Sequence, residues 1–208
     1  MGAMVVVKPK RFEYVEQTRQ ALLDAAEESF LAEGYRATSL DAVAAAARFT
    51  KGAVYRHFTD KQALFLAVFE RVATDAVTGL VPQHSVATDP WRTSLDALAG
   101  FLDACSQRRY RRIVLEEGPM VFGWARWRGL DQQLTGHVLH QILEGLMAAG
   151  EIDRQPIDPL ARLCCAVVGE AALTIADAHQ PHDTHAHMLT TLSQMLSGLR
   201  HNTGHLQS

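Results

Sequence analysis

The run from Thr38 to Lys61 constrains the fold more than any other part of this 208-residue chain. Thr38-Ser39 offers hydroxyls that cap a helix, and Leu40, Val43, Ala44 and Ala47 follow at helical spacing. Arg48-Phe49 is a very short connection before Thr50, a second cap, opens Lys51-Gly52-Ala53-Val54-Tyr55-Arg56-His57-Phe58. In this second helix Val54 faces one way, while Gly52 and Arg56, four apart, face the other. Thr59-Asp60 then caps a third helix that begins at Lys61. Two brief helices joined by a tight turn form a helix-turn-helix, whose second helix enters a major groove.

The residues on that second helix suit a polyanion. Lys51, Tyr55 and Arg56 are donors for phosphate, and Gly52 and Ala53 let the backbone approach base edges. Lys61 lies at a helix N-terminus, which favours a phosphate. Charge supports the assignment by its distribution, since the whole chain carries a net −3. Residues 1–61 hold 9 Lys/Arg against 8 Asp/Glu, and residues 62–208 hold 11 against 15. Positive charge is therefore local to the proposed reading head, as specific recognition requires.

The stretch T-S-L-D-A-V-A-A-A-A-R-F-T-K-G-A-V-Y-R-H-F-T-D-K-Q-A-L resembles the N-terminal DNA-binding domain of TetR-family transcriptional regulators. The match runs without a gap from about Gln20 to Phe69, around a specific K-G-x-x-Y-x-H-F-x-x-K core. The resemblance implies that Lys51, Gly52, Ala53 and Tyr55 face bases, with Ala53 against a thymine methyl. It also implies that Thr38, Ser39, Thr50, Tyr55, His57 and Lys61 hold phosphates. Arg48 and Arg56 are added from geometry, not from the family pattern. On this basis Lys61→Ala weakens binding to every sequence, whereas Lys51→Ala relaxes discrimination at particular base pairs. A solvated basic face is the bland alternative, which the joint match of motif and turn disfavours. One departure is Arg48, where the family usually carries glycine; a positive φ there costs about 1–2 kcal/mol.

The rest of the chain reads as helix throughout. Lys8 to Arg11 is a short basic arm, more simply a frayed tail than a groove contact. Tyr14, Val15, Ala21, Leu22, Ala25, Ala26, Ser29 and Phe30 mark a first helix that Gly34 ends. A longer helix runs from Lys61 to about Gly79, and Pro82 to Pro90 is a loop. Asp89-Pro90 starts the next helix, Arg108 to Glu117 forms another that Gly118-Pro119 stops, and Leu134 to Ala149 ends at Gly150. Asp158-Pro159 opens a helix to about Ala178, and Met188, Leu189, Leu192, Met195, Leu196 and Leu199 align on the last one. The expected fold is all-α: a three-helix helix-turn-helix domain over 1–60 and a helical bundle over 61–208 for ligand binding and dimerisation.

Leu163 to Val168 is apolar nearly all round, so that helix needs cover on more than one side. A second copy supplies it, giving a two-fold homodimer; the resemblance implies that the last two helices form this interface as a four-helix bundle. R-R-I-V-L-E-E-G-P-M-V-F-G-W-A-R-W-R-G-L-D looks like the ligand-binding domain of one TetR subgroup. The expected ligand lining is Phe101, Cys105, Met120, Phe122, Trp124, Trp127, Leu130 and His137, with Glu117 and Arg126 as polar candidates. For any one of these, plain core is the simpler role.

Other functions are bounded by what the sequence lacks. His179, His182, His185 and His187 crowd one loop and suggest a metal-responsive alternative, but without a cysteine or carboxylate anchor no metal site is assigned. There is no phosphate-binding glycine loop, nucleophile elbow or zinc-protease pair, so no enzyme and no cofactor are expected. Cys105, Cys164 and Cys165 make no disulfide framework. With no transmembrane run or signal peptide found, the expectation is a cytoplasmic protein without a membrane partner. The composite expectation is a homodimeric regulator on double-stranded palindromic operator DNA. A small-molecule effector releases it, with repression the usual family outcome.

Overall fold

A computed structural model of the chain describes residues 10–78, 80 and 89–200. Lys8 and Pro9 of the basic arm, and most of the 82–90 loop, lie outside the described residues. The chain divides into two compact units, Met1–Phe69 and Glu70–Ser208.

The first unit contains α1 (Lys10–Ala37), α2 (Leu40–Ala46), α3 (Lys51–His57) and the start of α4 (Lys61–Val77). The division thus falls inside α4, further along than residue 60. Gly34 interrupts α1 with φ 80° and ψ 167°, a region only glycine enters cheaply, so the helix proper does end there. The buried stripe of α1 begins later than its periodicity implied. Tyr14 and Val15 are exposed, while Thr18, Leu22, Leu23, Ala26 and Phe30 are buried. Phe30 and Tyr35 both meet Phe65 of α4 edge-on, at ring distances of 5.1 and 5.2 Å. These aromatics, with Val43, Val54 and Val68, make the core on which two very short helices sit.

The second unit continues with α5 (Pro90–Ser106), capped by Asp89, whose carboxylate accepts from the Arg92 N–H at 2.8 Å. The segment 108–122, here α6, departs from expectation. Gly118-Pro119 does not stop it. Arg108–Tyr110 leads into a π-helical run, Arg111–Glu117, and Gly118–Phe122 continues as α-helix. In the wide π register the Gly118 N–H reaches the Ile113 carbonyl, five residues back. The same register would ask Pro119 to serve the Val114 carbonyl, and proline has no N–H to give. Trp127 supplies it instead: its buried Nε1–H donates to Val114 O at 2.7 Å. The break comes at Gly123, whose φ of 76° turns the chain into α7 (Trp124–Ala148).

Glu151 N–H donates to Leu146 O and Gly150 N–H to Met147 O, closing α7 as its sequence indicated. The next helix, α8 (Ile157–Asp177), starts one residue before Asp158, which therefore lies in its first turn and does not cap it. The last is α9 (Pro181–Ser197). Two apolar clusters hold this unit, one around Trp91, Leu143, Leu146, Ile152 and Leu160 and another around Leu102, Ala171, Ile175 and Leu192. Contrary to the sequence-based expectation of no membrane-length run, the 21-residue α8 contains an 18-residue window with a mean hydropathy of 1.5, long and apolar enough to span by length and composition. Leu160, Ala161, Cys164, Ala171, Ala172 and Ile175 nonetheless bury one face of it against the bundle.

Candidate functional site

A seven-residue helix is too short to persist alone, so α3 needs anchors. Val54 is fully buried, which contributes about 1.5–3 kcal/mol. Thr50 Oγ1 accepts from the Ala53 N–H at 3.3 Å, and Phe58 beyond the C-terminus is buried beneath the Arg19 guanidinium. Ser39 caps α2 in the same way, accepting from Ala42 N–H at 3.1 Å. The tight turn between α2 and α3 puts Arg48 at φ 58°, the lone non-glycine residue with positive φ among those described.

These anchors leave Lys51, Gly52, Tyr55 and Arg56 exposed, with Ala53 and His57 half-buried beside them. Arg48, Ser39 and Thr50 are also exposed, and both hydroxyls keep a proton to donate after capping. Nothing in the fold demands glycine at 52. A methyl group built there meets only Thr50 Oγ1, at 3.9 Å. Lys51 Nζ lies 2.9 Å from Asp41 Oδ2 of α2, a partner the sequence reading missed because nothing local links positions ten apart. That hydrogen bond and charge raise the Lys51 pKa above its ordinary value. The pair is open to water, and a phosphate or base edge can replace the carboxylate cheaply.

For Thr38 and Lys61 the structure shows partners within the protein in place of the expected phosphate. Thr38 is buried and its hydroxyl donates to Gly34 O at 2.9 Å, so it has nothing to offer outward. Lys61 Nζ donates to the carbonyls of Tyr35 (2.7 Å), Thr38 (2.9 Å) and Arg36 (3.3 Å), with the Tyr35 ring centroid 4.4 Å away. An ammonium has three protons, and all are committed. The N-terminus of α4 is likewise taken, by Asp60 Oδ1 accepting from Ala63 N–H at 2.8 Å. Lys61 is a clasp across the α1–α2 connection.

The second unit holds a partly open cavity of about 120 Å³, against the roughly 10–15 Å³ that holds one water. Phe101 and Trp127 line it. The other residues expected there do not. Cys105 is buried against Tyr110. Glu117 is buried in an ion pair with Arg112 at 3.1 Å. Met120 and Trp124 are exposed, and Phe122 lies under the Arg126 guanidinium at 5.2 Å. Leu130 and His137 sit on α7 to the side of the stripe that faces the cavity, which includes Trp127, Asp131, Thr135, Val138, Leu139, Ile142, Leu143 and Leu146. Helical phase decides this, since one residue turns a side chain by about 100°.

Asp131 was also missed. Burial pushes its carboxyl up to about 6, with Arg128 pulling the other way. Burial raises the Tyr110, Cys105 and Cys164 pKa values and lifts Cys165 to about 11, so these groups are neutral. The histidine loop is corrected too. Only His179 precedes α9; His182, His185 and His187 are on the helix, where the last two point apart. His185 Nε2 lies 3.0 Å from Asp103 Oδ1 without hydrogen-bond alignment. Among the described residues no group of three or more His, Cys, Asp or Glu side chains could hold a metal ion.

Comparison with known proteins gives concordant matches in both units. Residues 91–199 match the family described as "Tetracyclin repressor-like, C-terminal domain". Residues 22–68 match "Bacterial regulatory proteins, tetR family". A TetR-family transcriptional regulator from Pectobacterium atrosepticum aligns with a TM-score of 0.78 and 28% identity over 93% of this chain and 98% of that one. The HTH-type transcriptional regulator AcrR of Shigella flexneri is 33% identical over 102 residues, 49% of this chain and 47% of its own length. RolR, solved with resorcinol, aligns with a TM-score of 0.67 over 89% of this chain and 90% of its own; at 17% identity that likeness is one of fold.

Proposed function

The chain belongs to the TetR family of DNA-binding transcriptional regulators, which are not enzymes, and we propose that it represses from a palindromic operator as a homodimer until a small molecule releases it. The observation that carries the proposal is the face of α3. A helix fixed by one buried valine presents Lys51, Tyr55 and Arg56 around a glycine that the fold itself does not require. Such a face suits backbone and donors to base edges, and in this reading Arg48, Ser39, Thr50 and His57 contact phosphates.

Dimerisation is supported by the last two helices. Leu163 of α8 is 66% exposed and Met195 of α9 is 56% exposed, large apolar side chains left open on the outer faces of the last two helices. A second copy of the same surface covers them, and the apolar length of α8 then serves assembly and not a bilayer. Two α3 helices related by a dyad read half-sites about 34–36 Å apart, or a multiple of this. The cavity supplies the effector site. Its occupant releases DNA only by binding the non-binding dimer arrangement more tightly than the binding one. The site of action is the cytoplasm, where operator DNA lies and thiols such as Cys164 and Cys165 stay reduced.

Sedimentation of the chain with a labelled operator duplex tests this. Two chains of 22.9 kDa per duplex are expected, and Leu163→Asp should give a folded monomer with operator affinity lowered at least tenfold. A monomeric wild type at micromolar concentration, or an unaffected Leu163→Asp variant, would remove the dimer.

A further inference from the structure

We propose that the cavity of the second unit takes an apolar organic cation, an aromatic or alicyclic amine whose ammonium group donates to the Asp131 carboxylate. This rests on the effector reading above and gives the chemical class of the effector.

The argument is an accounting of polar groups in the cavity wall. Ser94 donates to Pro90 O at 2.9 Å, Thr135 to Asp131 O at 2.8 Å, and the Trp127 indole to Val114 O at 2.7 Å. The Tyr110 hydroxyl is paired with Cys105. The protons of these groups are committed inside the protein, so they offer a guest no free donor and no charge. Asp131 differs: among the described residues no hydrogen bond reaches its carboxylate, and the charge acting on it is that of Arg128, on the same helix. Asp131 is half-buried and its carboxylate faces a mostly apolar cavity without a donor from the described residues, and a guest that brings a donor and a positive charge improves on that setting.

The rest of the wall selects against other guests. Among the described residues no lysine, arginine or histidine lines the cavity, so an anionic guest would face Asp131 with no compensating charge from them. Trp91, Phe101, Tyr110 and Trp127 supply aromatic faces, which attract a cation through their quadrupoles. The aliphatic remainder, including Leu95, Leu139 and Ile142, accommodates an apolar body. The titratable groups that act on or with Asp131 are Arg128 on α7, Cys105 on α5, Tyr110 on α6 and Cys165 on α8. The thiols and the phenol are neutral near pH 7, so the local charge is set by Asp131 and Arg128.

The test uses a matched pair of probes, 2-naphthylmethylamine and 2-naphthylmethanol, titrated calorimetrically into the full chain. At pH 8 the amine should bind at least tenfold more tightly than the alcohol. Asp131→Asn should remove that preference while leaving alcohol binding within about twofold, which also shows the variant is folded. The preference should fade as pH drops through about 6, where the carboxyl takes up its proton. Equal binding of the two probes, or an Asp131→Asn variant that keeps the preference, overturns the proposed class and leaves the effector cavity standing. Binding of neither probe overturns both.

Discussion

Replacing Lys61 by methionine separates two roles that the sequence motif alone merges. The stem still packs, but the ammonium leaves the carbonyls of Tyr35, Thr38 and Arg36 and the face of the Tyr35 ring. Two of these bonds are shorter than 3.0 Å, and water reaches the vacated carbonyls in part. About 1 kcal/mol for each of these bonds therefore fits better than the larger figure for a fully buried charged bond. The total loss is about 2 kcal/mol, which for a chain of this length lowers Tm by about 4–8 °C. A phosphate contact would leave a different trace, since each one adds about 0.9 to the slope of log affinity against log salt. Thermal melting, with fluorescence anisotropy on operator DNA between 50 and 200 mM salt well below Tm, reads both quantities. The clasp predicts a lower Tm and an unchanged salt slope. An unchanged Tm with a reduced slope would show that Lys61 holds DNA and that the contacts to Tyr35 and Thr38 are incidental.

Gly52→Ala should stabilise the fold by up to about 1 kcal/mol, because the position is helical and open. It should also weaken specific DNA binding by about 1–3 kcal/mol, the worth of one good base contact; paired melting and anisotropy check this, and a loss of stability would mean the fold needs the glycine. Arg48→Gly relieves the φ of 58° and, after the entropy glycine adds to the unfolded chain, should gain about 0.5–1 kcal/mol in urea denaturation. Trp127→Phe strands the buried Val114 carbonyl and should cost about 1–3 kcal/mol. In a Pro119→Ala background, where residue 119 regains an N–H, the same change should cost clearly less, as a double-mutant cycle would show.

The fold was legible where local signals carry it. Caps at Ser39, Thr50 and Asp89 and the glycine at 150 state helix ends in one or two residues, and the structure uses all of them. Gly118-Pro119 misled because a proline stops an α-helix by clash and a missing donor, whereas a π turn followed by a distant indole removes both objections. The exposed face of α3 could be read because periodicity fixes which residues turn outward. The partners of Lys61 could not, because motif position says nothing about whether an outward-looking group has found carbonyls 23 to 26 residues away, and Thr38 turns inward onto the Gly34 carbonyl four residues back. The cavity was mislocated for a related reason. Large apolar residues such as Met120 and Trp124 announce themselves by type, but which face of α7 turns inward depends on helices that arrive much later in the chain. Asp131 carried a weak signal: a lone acid four residues from Trp127 and four from Thr135, on an otherwise apolar stripe.

The measurement that bears most directly on the account is selection of duplexes from a random pool by the wild-type chain and by a Lys51→Ala, Arg56→Ala double variant. Both substitutions change exposed side chains of α3, so the variant should melt like wild type. The account predicts a palindromic motif for wild type, with half-site centres about one helical turn apart or a multiple of it, and no enrichment for the variant. No enriched motif for wild type at low salt, or the same motif recovered by the variant, would contradict the claim that α3 reads the DNA.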